Sequence, residues 1–352
     1  QLHCNFPHHR DRLLKVLGCV NEREAVATAI KGWKAGELED AVVAAQGCVG
    51  MLRMPEEWQA HPQALALAML LPLEIIRIGD APAEPLPPAE RPLSGVRALD
   101  LTHVIAGPVC GRTLAEHGAD VMRITAAHRP AIEVLLQDMG RGKLSVDLDL
   151  ARPADVERLR ALTREADVFS QGYRPGAIAA KGFSPEDVAR LRPGIVYVTL
   201  SAYGHEGPWR DRRGFDSLVQ TVSGIAGEGG RAAGLDGARP LPCQALDHAT
   251  GYLAAFGTMV ALAKRAKHGG SWMVRISLAQ TGRWIDRLGR VDGLALADLR
   301  ADAVADLLEE TDTAWGRMRA VAPAAKLSAT PGRWTRPSAK PGTHPPEWPA
   351  RG

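Results

Sequence analysis

The chain has 352 residues, 45% of them hydrophobic, which is enough for two or three domains with their own cores. Its 43 basic and 40 acidic residues are mixed along the sequence and give a net charge of +3. Because nucleic-acid binding needs a concentrated basic face, this distribution argues against a nucleic-acid partner. The five cysteines are Cys4, Cys19, Cys48, Cys110 and Cys243. Their odd number and the lack of CxxC spacing argue against a disulfide framework and a zinc site, and favour reduced thiols.

Residues 1–80 predict a small, mostly helical domain. Four stretches carry apolar residues at helical spacing: HRDRLLKVLG, EREAVATAIKGW, ELEDAVVAAQG and HPQALALAML. His3, His8 and His9 invite a metal interpretation, but no carboxylate or cysteine stands at ligand spacing, so we expect surface histidines and no metal. No signal segment is visible, and the longest apolar run is too short to span a membrane. We expect a soluble cytoplasmic protein, and Gln1 as first residue suggests the later part of a longer chain.

A Pro-rich segment over residues 81–91 predicts an extended linker. From Pro92 to about residue 290, short apolar strands alternate with helices. The predicted strands are VRALDLT, ADVMRIT, KLSVDLDL, ADVFSQG, GIVYVTLSAYG and SWMVRISLA. The helices among them are GPVCGRTLAEHG, RPADVERLRALTREA, SPEDVARLR and HATGYLAAFGTMVALAKRAKHGG. This alternation predicts an α/β fold, a Rossmann-like parallel sheet with helices on both faces.

Residues 291–352 predict one more helix and an irregular tail. The helix is expected over DGLALADLRADAVADLLEE. The Pro-rich stretch that follows cannot form regular structure, and we expect Trp334 and Trp348 to pin it against the body of the protein.

Ligands of such sheets lie beyond the carboxyl ends of the strands. In THVIAGP, Ala106 and Gly107 would let a ligand approach a helix N-terminus, which suits a phosphate. The GxGxxG fingerprint is missing there, so nicotinamide binding is disfavoured. Arg141 and Lys143 of GRGKLS supply the charge that a polyphosphate needs.

Two further loops add an aromatic ring and small residues. QGYRPG offers Tyr173 and Arg174, and SAYGHEGPW carries Tyr203 and Gly204. Each loop alone also fits an ordinary solvated or Pro–Gly turn. Together the four loops favour a polyanionic, ring-bearing ligand.

Asp247 stands in LPCQALDHATGYLAAFG, directly before an alanine-rich helical run. An aspartate at this place accepts hydrogen bonds from the unpaired N–H groups of the first turn, so the stretch alone is typical of an N-cap. Chemistry at the start of the helix is the alternative.

An ordered set of blocks resembles the family III CoA-transferases, the CaiB/BaiF group that includes the carnitine and formyl-CoA transferases and the alpha-methylacyl-CoA racemase. The blocks are PLSGVRALDLTHVIAGPVCGRTLAEHGADVMRI, RGKLSVDLDL, ADVFSQGYRPGAIAAKGFS, PGIVYVTLSAYGHEGPW, RGFDSLVQTVSGIAG and ALDHATGYLAAFGTMVAL. The resemblance covers roughly residues 92–280 and implies that Asp247 is a nucleophile. The positions that it gives to coenzyme A contacts are Ile105, Ala106, Lys143, Gly172, Tyr173, Ser201, Ala202, Tyr203 and Gly204.

The resemblance also implies covalent chemistry without a metal or a permanent cofactor. The carboxylate of Asp247 would attack an acyl-CoA to give a mixed anhydride, the CoA thiolate would return to form an aspartyl-CoA thioester, and an acceptor carboxylate would collect the CoA by the reverse steps. Gly251 would leave room for the thioester, and His248 is a candidate to orient the acyl group. The partners implied are an acyl-CoA, a carboxylic acid and a second copy in an interlocked homodimer, with no membrane.

Departures from the family pattern leave alternatives open. A family arginine after the second strand has no match in AAHRP, and a lysine of the strand-five loop is Ser201 here. The family's glycine-rich shielding loop is not evident. Phe215 stands where the racemase has a histidine, and because a phenyl ring moves no proton, racemisation is disfavoured. An impaired member that binds CoA as a scaffold or subunit is the second reading, and the N-terminal part resembles the family's small domain placed first, as in a partly duplicated protein.

Overall fold

The computed structural model describes residues 1–86, 89–291, 297, 299–300 and 302–350. These residues form two compact units, each assembled from separated segments. Unit 1 comprises residues 1–72, 201–247 and 276–291, and unit 2 comprises 73–200, 248–275 and the described part of 292–352. The consecutive domains expected from the sequence, residues 1–80, 92–290 and 291–352, stay a prediction.

The regular elements are as follows. The helices are α1 (Pro7–Leu17), α2 (Arg23–Ile30), α3 (Ala35–Ala44), α4 (Pro55–Gln59), α5 (Pro62–Leu67), α6 (Ala106–Glu116), α7 (Glu133–Met139), α8 (Pro153–Arg164), α9 (Pro185–Leu191), α10 (Asp216–Val222), α11 (Ile225–Ala232), α12 (Ala245–His268) and α13 (Leu278–Arg287), with short 3-10 helices at Ala179–Lys181 and Ala305–Leu307. The strands are β1 (Leu73–Gly79), β2 (Arg97–Leu101), β3 (Asp120–Thr125), β4 (Lys143–Asp147), β5 (Val168–Gln171), β6 (Val196–Ser201), β7 (Ser271–Ser277), β8 (Leu308–Thr313) and β9 (Gly316–Val321).

Unit 1 is helical. Its first helix, α1, begins with Pro7 and ends at Gly18, whose left-handed backbone (φ 65°) stops the helix. Leu13 and Leu17 on the inner face of this helix pack with Val42 of α3 and its neighbours into a small apolar core. The four predicted helical stretches overlap α1, α2, α3 and α5.

Unit 2 contains the seven-stranded sheet, in the order β1-β7-β6-β5-β2-β3-β4. The central strand β2 pairs in parallel with β3 and β5, β3 pairs in parallel with β4, and β5 with β6. The carboxyl ends of these strands therefore lie at one edge of the sheet. Their side chains are buried on both faces, as expected of a parallel sheet covered by helices. The predicted α/β fold is confirmed.

One strand lies where helices were expected. The segment LEIIRIG, within residues 1–80, forms β1 at the edge of the sheet. Pro72 ends the preceding helical region, and the run of isoleucines after it favours a strand over a helix. Apolar periodicity in so short a run does not separate the two structures.

The helix expected over residues 292–310 is wrong where the chain is described. Residues 305–307 form a 3-10 turn, and β8 pairs antiparallel with β9 from Leu308↔Val321 to Thr313↔Gly316. The threonines of β8 favour the hairpin. Residues 292–296, 298 and 301 of the expected helix lie outside the described residues.

The C-terminal tail is anchored as predicted. The indole Nε1 of Trp334 donates to the Arg112 carbonyl at 3.0 Å, and that of Trp348 donates to the Leu162 carbonyl at 3.0 Å. The guanidinium of Arg141 lies 4.1 Å from the Trp334 ring centroid. Across the described residues, no helix combines the length and apolar character that crossing a membrane requires.

Candidate active site

Asp247 lies inside the first turn of α12 and is not its N-cap. The helix begins at Ala245, three residues earlier than the sequence suggests, and runs for 24 residues. Asp247 is therefore the third helical residue, at a place where a carboxylate interacts favourably with the positive end of the helix dipole. Its side chain is buried, with 7% of the residue exposed. The interpretation as a simple cap is thus wrong.

A second carboxylate lies beside Asp247. Asp216, the first residue of α10, is buried, and its Oδ2 accepts a hydrogen bond of 2.9 Å from the backbone N–H of Asp247. Burial raises the pKa of Asp247 well above its usual value, and the negative charge of Asp216 raises it further. A carboxyl group whose pKa is raised by burial and by a neighbouring charge is a frequent feature of catalytic sites.

Gln220 ties Asp216 to the segment that leads into α12. Its Nε2 donates to Asp216 Oδ1 and, at 3.2 Å, to the carbonyl of Cys243, and its Oε1 accepts from the N–H of Leu241 at 2.8 Å. Gln220 is itself buried. These hydrogen bonds fix the approach to the first turn of α12. Neither Asp216 nor Gln220 was predicted from the sequence, although both stand in the RGFDSLVQ block.

Gly251 allows close packing of two helices and does not provide the open space that was expected for a thioester. A Cβ at this position would lie 2.5 Å from the Ala106 carbonyl oxygen and 2.5 Å from Val109 Cβ. Glycine therefore allows α12 to pack closely against α6. The face of the helix that carries Gly251 is occupied by protein.

The loop between β2 and α6 is strained. Val104 has a φ of +70°, a left-handed conformation that a β-branched residue rarely adopts. Strain of this kind is frequent at ligand sites, where the surrounding structure maintains it. Ile105 and Ala106, the expected coenzyme A contacts, follow directly, and Ala106 begins α6. Gly107 is required because a Cβ there would lie 2.3 Å from the Thr102 side chain.

Lys143 lies in the interior and not in an open loop. It begins β4 and is 1% exposed. Its Nζ donates to Asp100 Oδ2 at 2.6 Å and to the Pro108 carbonyl at 2.7 Å. Burial lowers the pKa of Lys143, and the Asp100 carboxylate opposes that shift. The amine supports the first turn of α6, so the expected phosphate contact would have to compete with two internal partners.

Arg129 lies beside Tyr173. It belongs to the AAHRP segment after the second predicted strand, in which the sequence showed no match to the family arginine. The Arg129 guanidinium, after β3, is 4.8 Å from the Tyr173 ring centroid and donates to His103 Nε2 at 3.3 Å. The His103 and Tyr173 rings meet edge to face at 5.7 Å. We call these three residues the Arg129 cluster. In the sequence, Arg129 is visible only as the arginine of AAHRP, and its proximity to Tyr173 depends on the fold.

The Tyr173 loop is held by hydrogen bonds at the strand ends. Gln171 Oε1 accepts from the N–H of Tyr173 at 2.9 Å, while its Nε2 donates to Thr199 Oγ1 at 2.7 Å. Gly172 is exposed and Tyr173 is half-buried. A ligand can therefore reach this loop.

The four residues from the end of β6 onward that were expected to contact coenzyme A belong to unit 1 and differ in exposure. Ser201 and Ala202 are half-buried, whereas Tyr203 and Gly204 are buried. The Tyr203 ring packs edge to face on Trp209 at 5.1 Å, and Leu67 fills the space beside Gly204. In this structure Tyr203 and Gly204 pack the interior of unit 1, which leaves Ser201 and Ala202 as the accessible pair.

Two of the three N-terminal histidines are not at the surface. His3 stacks on Phe215 at 3.7 Å with an interplanar angle of 3°, and His9 lies 3.6 Å from Cys48 Sγ. Burial lowers the pKa of both His3 and His9 to about 4, so both rings are neutral near pH 7. Among the residues that the structure covers, no group of three or more His, Cys, Asp or Glu side chains is arranged to hold a metal ion.

Comparison with known proteins identifies relatives of this chain. The sequence model of CoA-transferase family III matches residues 93–287. The acetyl-coenzyme A transferase nodX of Hypoxylon pulicicidum is 37% identical over 225 residues, 62% of this chain and 38% of that protein. The human succinyl-CoA:glutarate CoA-transferase is 32% identical over 191 residues, 51% of this chain and 43% of that protein. The chain thus spans less than half the length of either curated relative.

A solved structure shares the fold. The crystal structure of Rv3272 from Mycobacterium tuberculosis superposes with a TM-score of 0.62 at 22% identity and covers 73% of this chain and 98% of that one. Identity at this level supports the fold alone. The family match, in contrast, spans more than half of the sequence and includes the blocks quoted above. On that match, the chain belongs to CoA-transferase family III.

Proposed function

We propose that this chain transfers coenzyme A between an acyl-CoA thioester and a carboxylic acid, with Asp247 as the nucleophile. The observation that carries the proposal is a buried carboxyl group in the first turn of a 24-residue helix, next to a second carboxylate. The helix N-terminus supplies N–H groups and a positive dipole that favour the ionised form. Burial and Asp216 act in the opposite direction, and a carboxylate that is not fully stabilised is a better nucleophile.

The proposed reaction has four steps. Asp247 attacks the thioester carbonyl, and the C–S bond breaks to give a mixed anhydride and the CoA thiolate. The thiolate attacks the aspartyl carbonyl, which releases the first carboxylate and leaves an aspartyl-CoA thioester. The acceptor carboxylate attacks this thioester, forming a second anhydride and the thiolate. The thiolate then attacks the acceptor's acyl carbon, which yields the new acyl-CoA and restores the Asp247 carboxylate.

The contacts to coenzyme A are also part of the proposal. The strained loop that begins at Val104 and the N-terminus of α6 offer backbone N–H groups to an anion. The Arg129 cluster offers a guanidinium and an aromatic ring, which suit a nucleotide phosphate and base. Ser201 and Ala202 are retained from the resemblance. The donor and acceptor classes follow the names of the relatives, one of which is named for CoA transfer between succinyl-CoA and glutarate.

Trapping the covalent intermediate tests the proposal. Incubation of the chain with an acyl-CoA, followed by hydroxylamine, should convert an acyl-aspartate into a hydroxamate on the peptide that contains Asp247, as mass spectrometry detects. Asp247→Asn should give no hydroxamate and no CoA transfer, with an unchanged circular dichroism spectrum to show that the fold is intact. Transfer by this variant at the wild-type rate would refute the proposal.

Binding to a coenzyme A resin, measured together with CoA transfer, distinguishes an impaired family member from an active one. If the chain is retained on a coenzyme A resin but exchanges no CoA with any of a panel of carboxylates, the scaffold or subunit reading is supported.

We also propose a homodimer, as the resemblance implies, and light scattering that gives the mass of one chain would contradict it.

A further inference from the structure

Unit 1 contains a cavity that does not include Asp247. Its volume is about 270 Å³, close to the lower limit for sites of small organic ligands. It is lined by residues of α4, α5, α11 and α13 and their flanks, all of them in unit 1. Trp58, Leu65, Leu67 and Ile225 give it an apolar wall.

One side of the cavity carries positive charge without a counter-ion. Arg283 and Arg287, one turn apart on α13, both line it, and neither forms a salt bridge with a residue in the described part of the chain. The two carboxylates that also line it, Glu228 and Asp286, are both paired with Arg290, each at 2.6 Å. Burial and the charge of Arg287 lower the pKa of Arg283, as expected for two guanidinium groups that repel each other.

A buried acceptor in the lining is also without a partner. Gln280 is 5% exposed, and its Nε2 donates to the carbonyls of Leu70 and Leu71 at 3.0 and 3.1 Å. These two hydrogen bonds fix the amide orientation and leave Oε1 with no partner among the described residues. The hydroxyl of Ser223, also in the lining, is buried and likewise has no hydrogen-bond partner in the described part of the chain. Buried polar atoms normally have partners, so a donor on a ligand would complete this arrangement.

We propose that this cavity binds a small carboxylic acid with an apolar body and a hydroxyl group. The carboxylate pairs with Arg283 and Arg287, since guanidinium groups bind carboxylates through paired hydrogen bonds. The apolar body packs on Trp58 and Leu67, and the hydroxyl donates to Gln280 Oε1. A phosphate would satisfy the arginines but would leave the apolar wall unused. The site is separate from Asp247, and the inference does not depend on the proposed transfer reaction.

Calorimetric titration of the full chain tests the site, with 6-hydroxyhexanoate as the ligand and 1,6-hexanediol as its uncharged analogue. The acid should bind at least tenfold more tightly than the diol. Arg283→Gln and Arg287→Gln should each raise the Kd of the acid about tenfold, as expected for the loss of one charge-assisted hydrogen bond. Arg210→Gln is the control, since Arg210 is an exposed arginine of unit 1 outside the cavity lining, and this variant should leave the Kd within twofold.

A second variant keeps the test valid if the arginine variants fold poorly. Ala64 lines the cavity, and Ala64→Leu fills part of it without changing charge, so it should also weaken binding of the acid at an unchanged circular dichroism spectrum. Several results would overturn the proposal: no binding by the wild type at millimolar acid, equal binding by the Arg287→Gln variant, or loss of binding in Asp247→Asn alone. Tighter binding of inorganic phosphate than of the acid would also contradict it.

Discussion

At the scale of single residues, the pairing of Asp247 with Asp216 determines how the proposed nucleophile ionises. Burial raises the pKa of Asp247, and the charge of Asp216 raises it further. The carboxylate must be ionised to attack, so activity should rise with pH through this raised pKa. Asp216→Asn removes the repelling charge and can keep an oxygen that accepts the Asp247 N–H. The acid limb of kcat/KM should then move to lower pH, whereas Asp211→Asn, an exposed control, should leave it in place.

The same shift has a consequence for stability. A carboxyl whose folded pKa is raised contributes stability that is fully present below its unfolded pKa, near 3.9, and is lost as the pH rises through the folded pKa. An asparagine side chain does not ionise, so the Asp247→Asn variant should not lose stability in this way. At pH values above the raised pKa, the melting temperature of the variant should therefore exceed that of the wild type. A steeper fall of stability with pH in the variant than in the wild type would contradict the assignment.

Lys143 illustrates two roles that one residue can have. The resemblance gives it a coenzyme A contact, which stays a prediction, while the structure pairs it with buried Asp100. Lys143→Met should destabilise the fold by about 3–5 kcal/mol, because it leaves a buried carboxylate without its partner. Lys143→Met combined with Asp100→Leu should recover much of that loss in urea unfolding. If the double variant is stable and still binds coenzyme A as tightly as the wild type, the expected contact is absent.

At the scale of elements, the contact between α12 and α6 depends on Gly251. Replacement of a helical glycine by alanine normally stabilises by about 0.5–1 kcal/mol. At Gly251 the added Cβ would lie 2.5 Å from a backbone oxygen, so Gly251→Ala should instead destabilise by about 1–3 kcal/mol. Gly36→Ala is the matched control, since Gly36 is also helical and has no atom within 4 Å of an added Cβ. A gain of stability in both variants would show that α6 is farther away.

The sequence predicted most elements of the sheet but only part of the candidate site. Strands β2 to β6 are short, largely buried runs that alternate with helices, and such patterns are local. The edge strand β1 and the hairpin β8–β9 were missed because apolar periodicity does not separate a strand from a helix in runs as short as these. Asp247 was identified through family resemblance. The proximity of Asp216 to Asp247 and of Arg129 to Tyr173 arises from tertiary contacts that no spacing rule reveals.

At the scale of the whole molecule, the C-terminal tail stabilises unit 2 without regular structure of its own. Trp348 packs against the main core of this unit, and the Arg97 guanidinium lies 5.6 Å from its ring centroid. The hydrogen bonds from both tail indoles satisfy carbonyls in α6 and α8. A segment rich in proline loses less conformational entropy on ordering than a flexible one, so a few aromatic contacts are enough to hold it.

Removal of these indoles should therefore lower the stability of the whole chain. Trp334→Ala and Trp348→Ala should each destabilise by about 2–4 kcal/mol, through lost apolar burial, a lost hydrogen bond and a lost cation–π contact. Trp334 interacts with Arg112 and Arg141 and Trp348 with Leu162 and Arg97, so the two effects on urea unfolding should be additive within about 0.5 kcal/mol. Trp315→Ala, at the tip of the β8–β9 hairpin, is the control and should cost less than either. Unchanged unfolding midpoints in both tail variants would mean that the tail leaves the body in solution.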